Sequence, residues 1–216
     1  MIDTILFFLP SLPGNVITFF PSYGFLNDCW YAWERSGQLN SVRAVKEVFK
    51  EESGMGNDDF NAIVKSLKRA SYGRGAVLFA VCRGKASEGI DFSDSMCRCV
   101  MITGVPYPPF TDKKVQMRRQ YLDEKAKQQD IYNERARAAL AAGQRSIPRF
   151  YPDLPLASVA GMQARTVSGG EWYAISAHRA VNQSVGRAIR HKGDYGLILL
   201  MDERFASASS VEHLSK

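Results

Sequence analysis

The sequence has few of the residues that bind metals or build disulfide frameworks. Its 216 residues include four cysteines and three histidines. Only Cys97 and Cys99 lie close together, and one intervening residue is not the spacing of a zinc site. The histidines are too scattered along the chain to form a metal site. We therefore expect a reduced, intracellular protein that holds no metal of its own.

Long apolar runs and phosphate-binding glycine loops are also missing. The stretch ILFFLPSLPG near the start contains two prolines and a glycine, so it is too short to span a bilayer, and no signal-peptide pattern is visible. The P-loop motif G-x-x-x-x-G-K-[ST] does not occur. Around Lys85, Phe79 stands where its first glycine should be and Ala86 follows the lysine.

The composition is that of a globular protein with a mildly basic surface. Hydrophobic residues make up 45% of the sequence and the formal net charge is +6. The excess is concentrated between residues 112 and 149, where ten Lys and Arg stand against five Asp and Glu. Such a segment favours an anionic partner, although ordinary basic surface explains the charge equally well.

Continuous apolar runs alternate with helical patterns along most of the chain. Runs without polar interruption are typical of parallel strands covered on both faces, and they occupy 15–20, 76–82, 99–105 and 196–202. Apolar residues at helical spacing occupy 23–36, 58–71, 112–128 and 171–191. This alternation predicts an α/β domain built on a mostly parallel sheet.

Residues 129–170 interrupt the alternation. An Ala- and Arg-rich piece is followed by a segment with three prolines and scattered Gly and Ser. We expect a long inserted surface loop, with at most a short helix at its start. Loops of this length inside a compact domain are generally functional or mobile.

Small residues and carboxylates follow the second apolar run. The stretch CRGKASEGIDFSD, residues 82–94, supplies Gly84, Ser87, Glu88, Gly89, Asp91 and Ser93. Because it follows a parallel strand, it is predicted to lie at the carboxyl edge of the sheet, where α/β domains bind ligands. The alternative is a plain connection between a strand and a helix.

Two arginines stand close together near the end of the last predicted helix. Gln183, Arg187 and Arg190 are spaced four and three residues apart, so we expect them to share one helix face. Gly186 costs about 1 kcal/mol of helix stability relative to alanine. A glycine at this position would be explained by a ligand or another backbone that comes close to the helix. The pattern predicts an anion site, and the alternative is an exposed face with two solvated arginines.

Two further stretches bear on chemistry. FFPSYGFL, residues 19–26, predicts a helix capped by Ser22, whose first amides can hold a phosphate; a plain capping turn is the alternative. LILLMDERF, residues 197–205, resembles the strand-and-acid pattern that holds Mg²⁺ in nucleotide hydrolases. Without a phosphate loop in the chain, we interpret Asp202 and Glu203 as structural.

Together these stretches resemble the second motor domain of the iron–sulphur superfamily-two DNA helicases of the xeroderma pigmentosum D type. FFPSYGFL resembles motif IV of that family, RGKASEGIDFSD motif V and QSVGRAIRHKGDYG motif VI, in the family's order. GVPYPP (104–109) and EWYAISAHRAVNQ (171–183) are most similar to the telomere-elongation regulators, and next to the Fanconi anaemia J-group helicase. The resemblance covers residues 2–205 and is weak from 125 to 170.

The resemblance implies a RecA-like three-layer domain over residues 1–205, with 129–170 inserted and 206–216 as a tail. In such motors, ATP with Mg²⁺ binds between two domains and is held mainly by the first. The second domain supplies arginine fingers, which here correspond to Arg187 and Arg190, while Gln183 orders water or the neighbouring loop.

The remaining site residues also come from the resemblance. Residues beside the nucleotide, some of which couple it to DNA, correspond to Glu88, Gly89, Asp91 and Gly186. Contacts with the DNA backbone correspond to Ser22, Tyr23, Lys85 and Ser87.

The resemblance further implies a 5′–3′ DNA helicase of DNA repair or telomere maintenance, located in the nucleus. Its expected partners are single-stranded or forked DNA and a first motor domain in cis or trans, and no membrane. The P-loop, the DE-x-H box and the four-cysteine insert for a 4Fe–4S cluster do not occur in this chain. They are expected only in the full-length protein, so the isolated chain is expected to be inactive.

Two other hypotheses stay open. The first is a catalytically inactive nucleic-acid-binding or regulatory module derived from a helicase domain, for which two intact arginines would have no use. The second is a single-domain enzyme that uses loop 84–94 for a small phosphorylated ligand. The lack of a phosphate loop and of a catalytic His or Cys constellation argues against it.

Overall fold

The computed structural model describes residues 1–89, 92, 96–143, 165–187, 189 and 193–214. Its five strands are β1 (Val16–Phe20), β2 (Glu47–Lys50), β3 (Ala76–Val81), β4 (Cys99–Ile102) and β5 (Leu197–Leu200). The helices before β4 are α1 (Ile2–Phe8), α2 (Tyr23–Arg35), α3 (Gln38–Val45), α4 (Asn57–Ala70) and α5 (Lys85–Gly89). The later helices are α6 (Lys113–Ala141), α7 (Gly169–Val185) and α8 (Ala208–His213).

The strands form one parallel sheet in the order β2-β3-β1-β4-β5. β1 lies in the centre and pairs with β3 on one side and β4 on the other. β2 and β5 continue the ladder outward, also in parallel. All the strands therefore end at the same edge of the sheet, and the loops that follow them gather there.

Helices cover both faces of the sheet, because alternate strand residues point to opposite sides. On one face, Val16 and Phe20 of β1 pack with buried residues of α1, α2 and α3. On the other, Ile17 and Phe19 pack with buried residues of α4 and of α7 from Ala177 onward. This is the three-layer α/β architecture that the sequence predicts.

An aromatic cluster anchors the first of these layers. The ring of Phe20 lies 6.1 Å from both Trp33 and Phe79, and Trp33 lies 5.6 Å from Phe79, measured between centroids. Each such pair contributes about 0.5–1.5 kcal/mol beyond the burial of its apolar area. The cluster packs α2 against the centre of the sheet and so positions the turn at Pro21 and Ser22, which precedes α2.

Several predicted boundaries need correction. β2 was not predicted, because its four residues EVFK carry charges at both ends and form no apolar run. α6 continues to Ala141 instead of ending near 128, so the first part of the predicted inserted loop is helical. The rest of that prediction, residues 144–164, lies outside the described residues.

The chain divides into two compact units, Met1–Pro106 with Ala177–Lys216, and Tyr107–Ser176. The sheet belongs to the first unit, and α6 belongs to the second. Within the described ranges, no helix combines the length and the apolar character needed to cross a bilayer.

Candidate functional site

The turn after β1 carries the first predicted site residues. Ser22 has extended backbone angles, and its side-chain oxygen accepts the amide N–H of Phe25 at 3.2 Å, so it caps α2 as predicted. Its side chain is exposed. Tyr23 is the first residue of α2, and its phenol donates a 2.8 Å hydrogen bond to Glu51 Oε1.

Glu51 is a buried carboxylate that the sequence does not reveal as a site residue. It follows β2 directly and is 0% exposed. Besides the Tyr23 phenol, it accepts the backbone N–H of Lys85 at 2.7 Å and that of Val81 at 3.2 Å. A carboxylate removed from water must be compensated by such donors. Glu51 thereby ties the turn after β1 to the loop after β3.

The contact changes the acid–base behaviour of Tyr23. Burial, together with the hydrogen bond to Glu51 and the charge of that carboxylate, raises the pKa of the Tyr23 phenol far above its ordinary value. The shift makes ionisation of the phenol still less favourable, so it remains a donor to Glu51.

The loop after β3 turns sharply around this carboxylate. A side chain at Gly84 would place its Cβ 2.9 Å from Glu51 Cδ, so the hydrogen-bonded carboxylate would have to move to admit it. Arg83, just before it, has a left-handed backbone with a φ of 67°, which is unusual for a residue with a side chain. The Gly84 N–H donates to the Val81 carbonyl at 2.9 Å and closes the turn.

Motif V continues into α5. The Lys85 side chain donates to Asn57 Oδ1 near the start of α4. Ser87 is 0% exposed, and its hydroxyl donates to the Gly84 carbonyl at 2.9 Å, so its side chain supports the loop. Glu88 and Gly89 are the last residues of α5, and Asp91 lies outside the described residues.

Arg187 lies beside this loop but not on a helix, contrary to the sequence prediction. α7 ends at Val185, and Gly186 and Arg187 form a turn in which the Arg187 N–H donates to the Ser184 carbonyl at 3.2 Å. The low helix propensity of glycine accounts for the early end. Gln183 is exposed on α7, and Arg190 lies outside the described residues.

The guanidinium of Arg187 joins motif VI to motif V. Its Nε and Nη2 both donate to the backbone carbonyl of Ser87, at 2.9 and 2.6 Å. Close by, the Ser184 hydroxyl contacts Cys82 Sγ at 3.7 Å. A permanently charged, planar donor is thus fixed at the carboxyl edge of the sheet, where it can bind an anion.

Asp202, which follows β5, has a structural role. Asp202 accepts the backbone N–H of Arg204 at 2.9 Å and its Nε at 2.8 Å, and caps the short 3₁₀ helix Glu203–Ala206. The hydrogen bonds from Arg204 lower the pKa of Asp202 below its ordinary value, despite partial burial. Among the described residues, no group of three or more His, Cys, Asp and Glu could hold a metal ion.

Hydrogen bonds therefore join these residues in two pairs: Tyr23 with the backbone of Lys85 through Glu51, and Arg187 with Ser87. The chain between Lys85 and Ser87 connects the two pairs. The signal for Glu51 was within reach of the sequence. Had EVFK been recognised as a strand, the residue after it would have been placed at the carboxyl edge beside the other loops.

Known proteins are similar to this chain over nearly its whole length. The helicase C-terminal domain family matches residues 5–216. The protein named regulator of telomere elongation helicase 1 homolog is 38% identical over 215 residues in Anopheles gambiae and 39% identical in Aedes aegypti. Each alignment covers 98% of this chain and 18% of the relative. The chain thus spans about a fifth of the length of these relatives.

Solved helicase structures share the fold. One XPD helicase structure superposes with a TM-score of 0.57 at 20% identity, covering 98% of this chain and 29% of that one. Xpd4 of S. tokodaii superposes with a TM-score of 0.50 at 16% identity, covering 100% of this chain and 32% of that one. The predicted resemblance and the RecA-like fold are confirmed, and the chain belongs to the helicase C-terminal domain family.

Proposed function

We propose that this chain is the second motor domain of an ATP-dependent 5′–3′ DNA helicase. Arg187 and Arg190 act as arginine fingers on ATP bound to a first motor domain, and Gln183 orders water or the neighbouring loop. Arginine suits this role because it is always charged and presents several donors in a fixed plane. A finger of this kind accelerates phosphoryl transfer by about 10³-fold or more.

One observation carries the proposal: the Arg187 guanidinium donates to the Ser87 carbonyl. It links the residue that would sense the terminal phosphates to the loop that would sense DNA. A shift of Arg187 toward a nucleotide would pull on motif V through this bond. Gly186, Glu88, Gly89 and Asp91 complete the proposed nucleotide side of the coupling.

The DNA side of the proposal rests on exposure and hydrogen bonding. Ser22 is exposed at the start of α2, where backbone N–H groups attract phosphate. Lys85 supplies a charge in the loop after β3, and Glu51 holds its backbone and Tyr23 together. Ser87 would take part through the loop that its buried side chain supports.

ATP supplies the phosphoryl group, and we place its Mg²⁺ on the first motor domain. A 4Fe–4S cluster belongs in this proposal to another part of a longer protein. All four cysteines of this chain are free, and three are buried in the core. Because the proposal places the phosphate loop and Mg²⁺ on the first motor domain, the chain by itself should bind ATP weakly and should not unwind DNA.

Related helicases are named for the regulation of telomere elongation. We accordingly place the activity in the nucleus, in telomere maintenance or DNA repair, on single-stranded or forked DNA.

A reconstituted motor tests the proposal. When the chain is combined with a matching first motor domain, single-stranded DNA should stimulate ATP hydrolysis. Arg190→Ala should lower the rate about 10³-fold, because it removes transition-state charge stabilisation. Arg179→Ala is the matched control, since it removes an exposed arginine of α7 outside the arginine pair and should leave the rate within about twofold.

Normal hydrolysis by the Arg190→Ala protein would exclude the finger assignment. If the wild-type pair binds DNA but never hydrolyses ATP, the inactive binding module becomes the better description.

A further inference from the structure

Three aromatic rings form a cluster that the proposed motor leaves unused. Tyr107 and Tyr173 stack with centroids 5.1 Å apart and planes 18° apart. Phe110 stands at 89° to Tyr173, 6.0 Å away. The Tyr173 phenol donates to the Pro108 carbonyl at 2.7 Å, which fixes its ring. We call Tyr107, Phe110 and Tyr173 the aromatic cradle.

Arg119 of α6 lies over this cradle. Its guanidinium carbon is 4.6 Å from the Phe110 centroid and 5.2 Å from that of Tyr173. Its Nε is buried, yet it has no hydrogen-bond partner in the part of the chain that the structure describes. A buried charged donor without an acceptor is costly. The rings thus orient the guanidinium, but they do not satisfy its hydrogen-bonding capacity.

The start of α7 holds this arrangement in place. A Cβ on Gly169 would lie 2.8 Å from the backbone Cα of Arg119, so only glycine permits the close contact with α6. The Gly169 N–H donates to Asp123 Oδ1 at 2.8 Å. Because Arg119 is already oriented, a ligand would lose little of its binding energy to ordering the side chain.

A cavity of about 420 Å³ opens beside the guanidinium, which is within the usual size of small-ligand sites. It is lined by Phe110, Gln116, Arg119, Gln120 and Asp123. Phe110 is 57% exposed and offers an apolar ring face. The Asp123 carboxylate is held by the Gly169 N–H. Arg119 is the cationic residue that lines the cavity, so an anion would bind at its end.

The surrounding helix is basic and carries a second cation–aromatic group. α6 contains eight Lys and Arg and four Asp and Glu. Arg118 and Lys125 lie 5.8 and 5.7 Å from the ring of Tyr121, which is 50% exposed. Positive charge interleaved with exposed rings is the surface that binds a strand through phosphates and stacked bases.

We propose that the aromatic cradle and Arg119 form a binding site for single-stranded nucleic acid outside motifs IV, V and VI. Arg119 holds a phosphate, and a base stacks on the exposed face of Phe110. The choice of nucleic acid as the ligand rests on the proposed function. The residues of the site are different from those that the proposed function uses.

Strand binding by the 216-residue chain tests the site, measured by fluorescence anisotropy with an oligothymidylate of about 20 nucleotides at about 50 mM salt. Arg119→Gln should weaken binding about 10-fold, because it removes a charge-assisted contact. Arg119→Lys, which keeps the charge but loses the planar fork, should restore only part of the affinity. Phe110→Ala should weaken binding at least about fivefold through lost stacking.

Arg137→Gln is the matched control. It removes the same charge from an exposed position on the same helix, and should change affinity by less than about twofold. Thermal unfolding of each variant shows whether it is folded. Among folded variants, the difference in affinity between Arg119→Lys and Arg119→Gln measures the contribution of the positive charge at position 119.

Equal affinities of the Arg119→Gln and Arg137→Gln chains for the single strand would overturn the proposed site. So would a wild-type affinity for duplex DNA equal to that for a single strand of the same length. If Lys85→Ala abolishes strand binding while Arg119→Gln leaves it intact, the affinity belongs to the motor loops and the cradle is excluded. Loss of ATP hydrolysis by the Arg190→Ala motor is independent of either result, so the two proposals fail separately.

Discussion

At the scale of single residues, the buried Glu51 carboxylate depends on hydrogen-bond donors from three neighbouring residues. Its carboxylate is enclosed and accepts hydrogen bonds from Tyr23, Val81 and Lys85. Removing any donor would leave part of a buried charge uncompensated, which is costly in an apolar surrounding. A side chain at position 84 would displace the carboxylate from these donors.

Gly84→Ala should therefore destabilise the chain. The added methyl group would overlap the Glu51 carboxylate, and moving this carboxylate away from its hydrogen-bond donors costs about 1–3 kcal/mol. The free energy of unfolding in urea measures the effect. Gly170→Ala is the control, because a Cβ there meets nothing within 4 Å and should cost less than about 0.5 kcal/mol. Equal stabilities of the two variants would contradict the crowding.

Single residues differ in how far the sequence reveals their roles. Ser22 could be predicted as a cap, because a serine before a helical pattern acts through its own backbone neighbourhood. Glu51 could be placed at the carboxyl edge only by recognising EVFK as a strand, and its hydrogen-bond partners, which lie in segments distant in sequence, are set by strand order. Arg187 was predicted on a helix, but α7 ends at Val185, so its turn geometry depends on where this helix ends.

At the scale of elements, long apolar runs predicted four of the five strands, and short or polar elements escaped prediction. β3, β4 and β5 are continuous in apolar residues and β1 is interrupted only by Thr18, whereas β2 has charged residues at both ends and pairs with β3. α6 is longer than predicted, because its Ala- and Arg-rich second half, which has few large apolar residues, continues as a helix. Whether such a segment becomes regular structure depends on its contacts with distant parts of the chain, which the local sequence does not reveal.

The cap of α2 is a test at this scale. Ser22→Ala removes the acceptor for the Phe25 N–H and should lower the free energy of unfolding by about 1 kcal/mol. Ser22→Asp keeps an acceptor and adds a favourable charge at the helix start, so it should retain most of the stability. Urea denaturation of both variants measures the difference. A Ser22→Ala chain as stable as the Ser22→Asp chain would mean that water caps this helix equally well.

At the scale of the whole molecule, the two core layers protect most of the thiols. Cys82 and Cys97 lie in one layer and Cys99 in the other, all buried, whereas Cys29 on α2 is only partly covered. Burial raises the pKa of Cys82 to about 11 and that of Cys99 to about 12. Since the thiolate is the reactive form, both access and ionisation disfavour reaction of the buried thiols.

Thiol labelling therefore reports on the integrity of the core. At about pH 8, iodoacetamide should modify Cys29 first in the folded chain, and modification should accelerate as pH rises because the thiolate fraction grows. The three buried cysteines should react only as the chain unfolds, so intact-mass spectrometry should show one added group in buffer and four in denaturant. Cys29→Ser should leave the folded chain unlabelled. Labelling of Cys97 at the rate of Cys29 in native buffer would show that the layer formed by α4, α7 and the sheet opens independently of the rest, contrary to one cooperatively packed core.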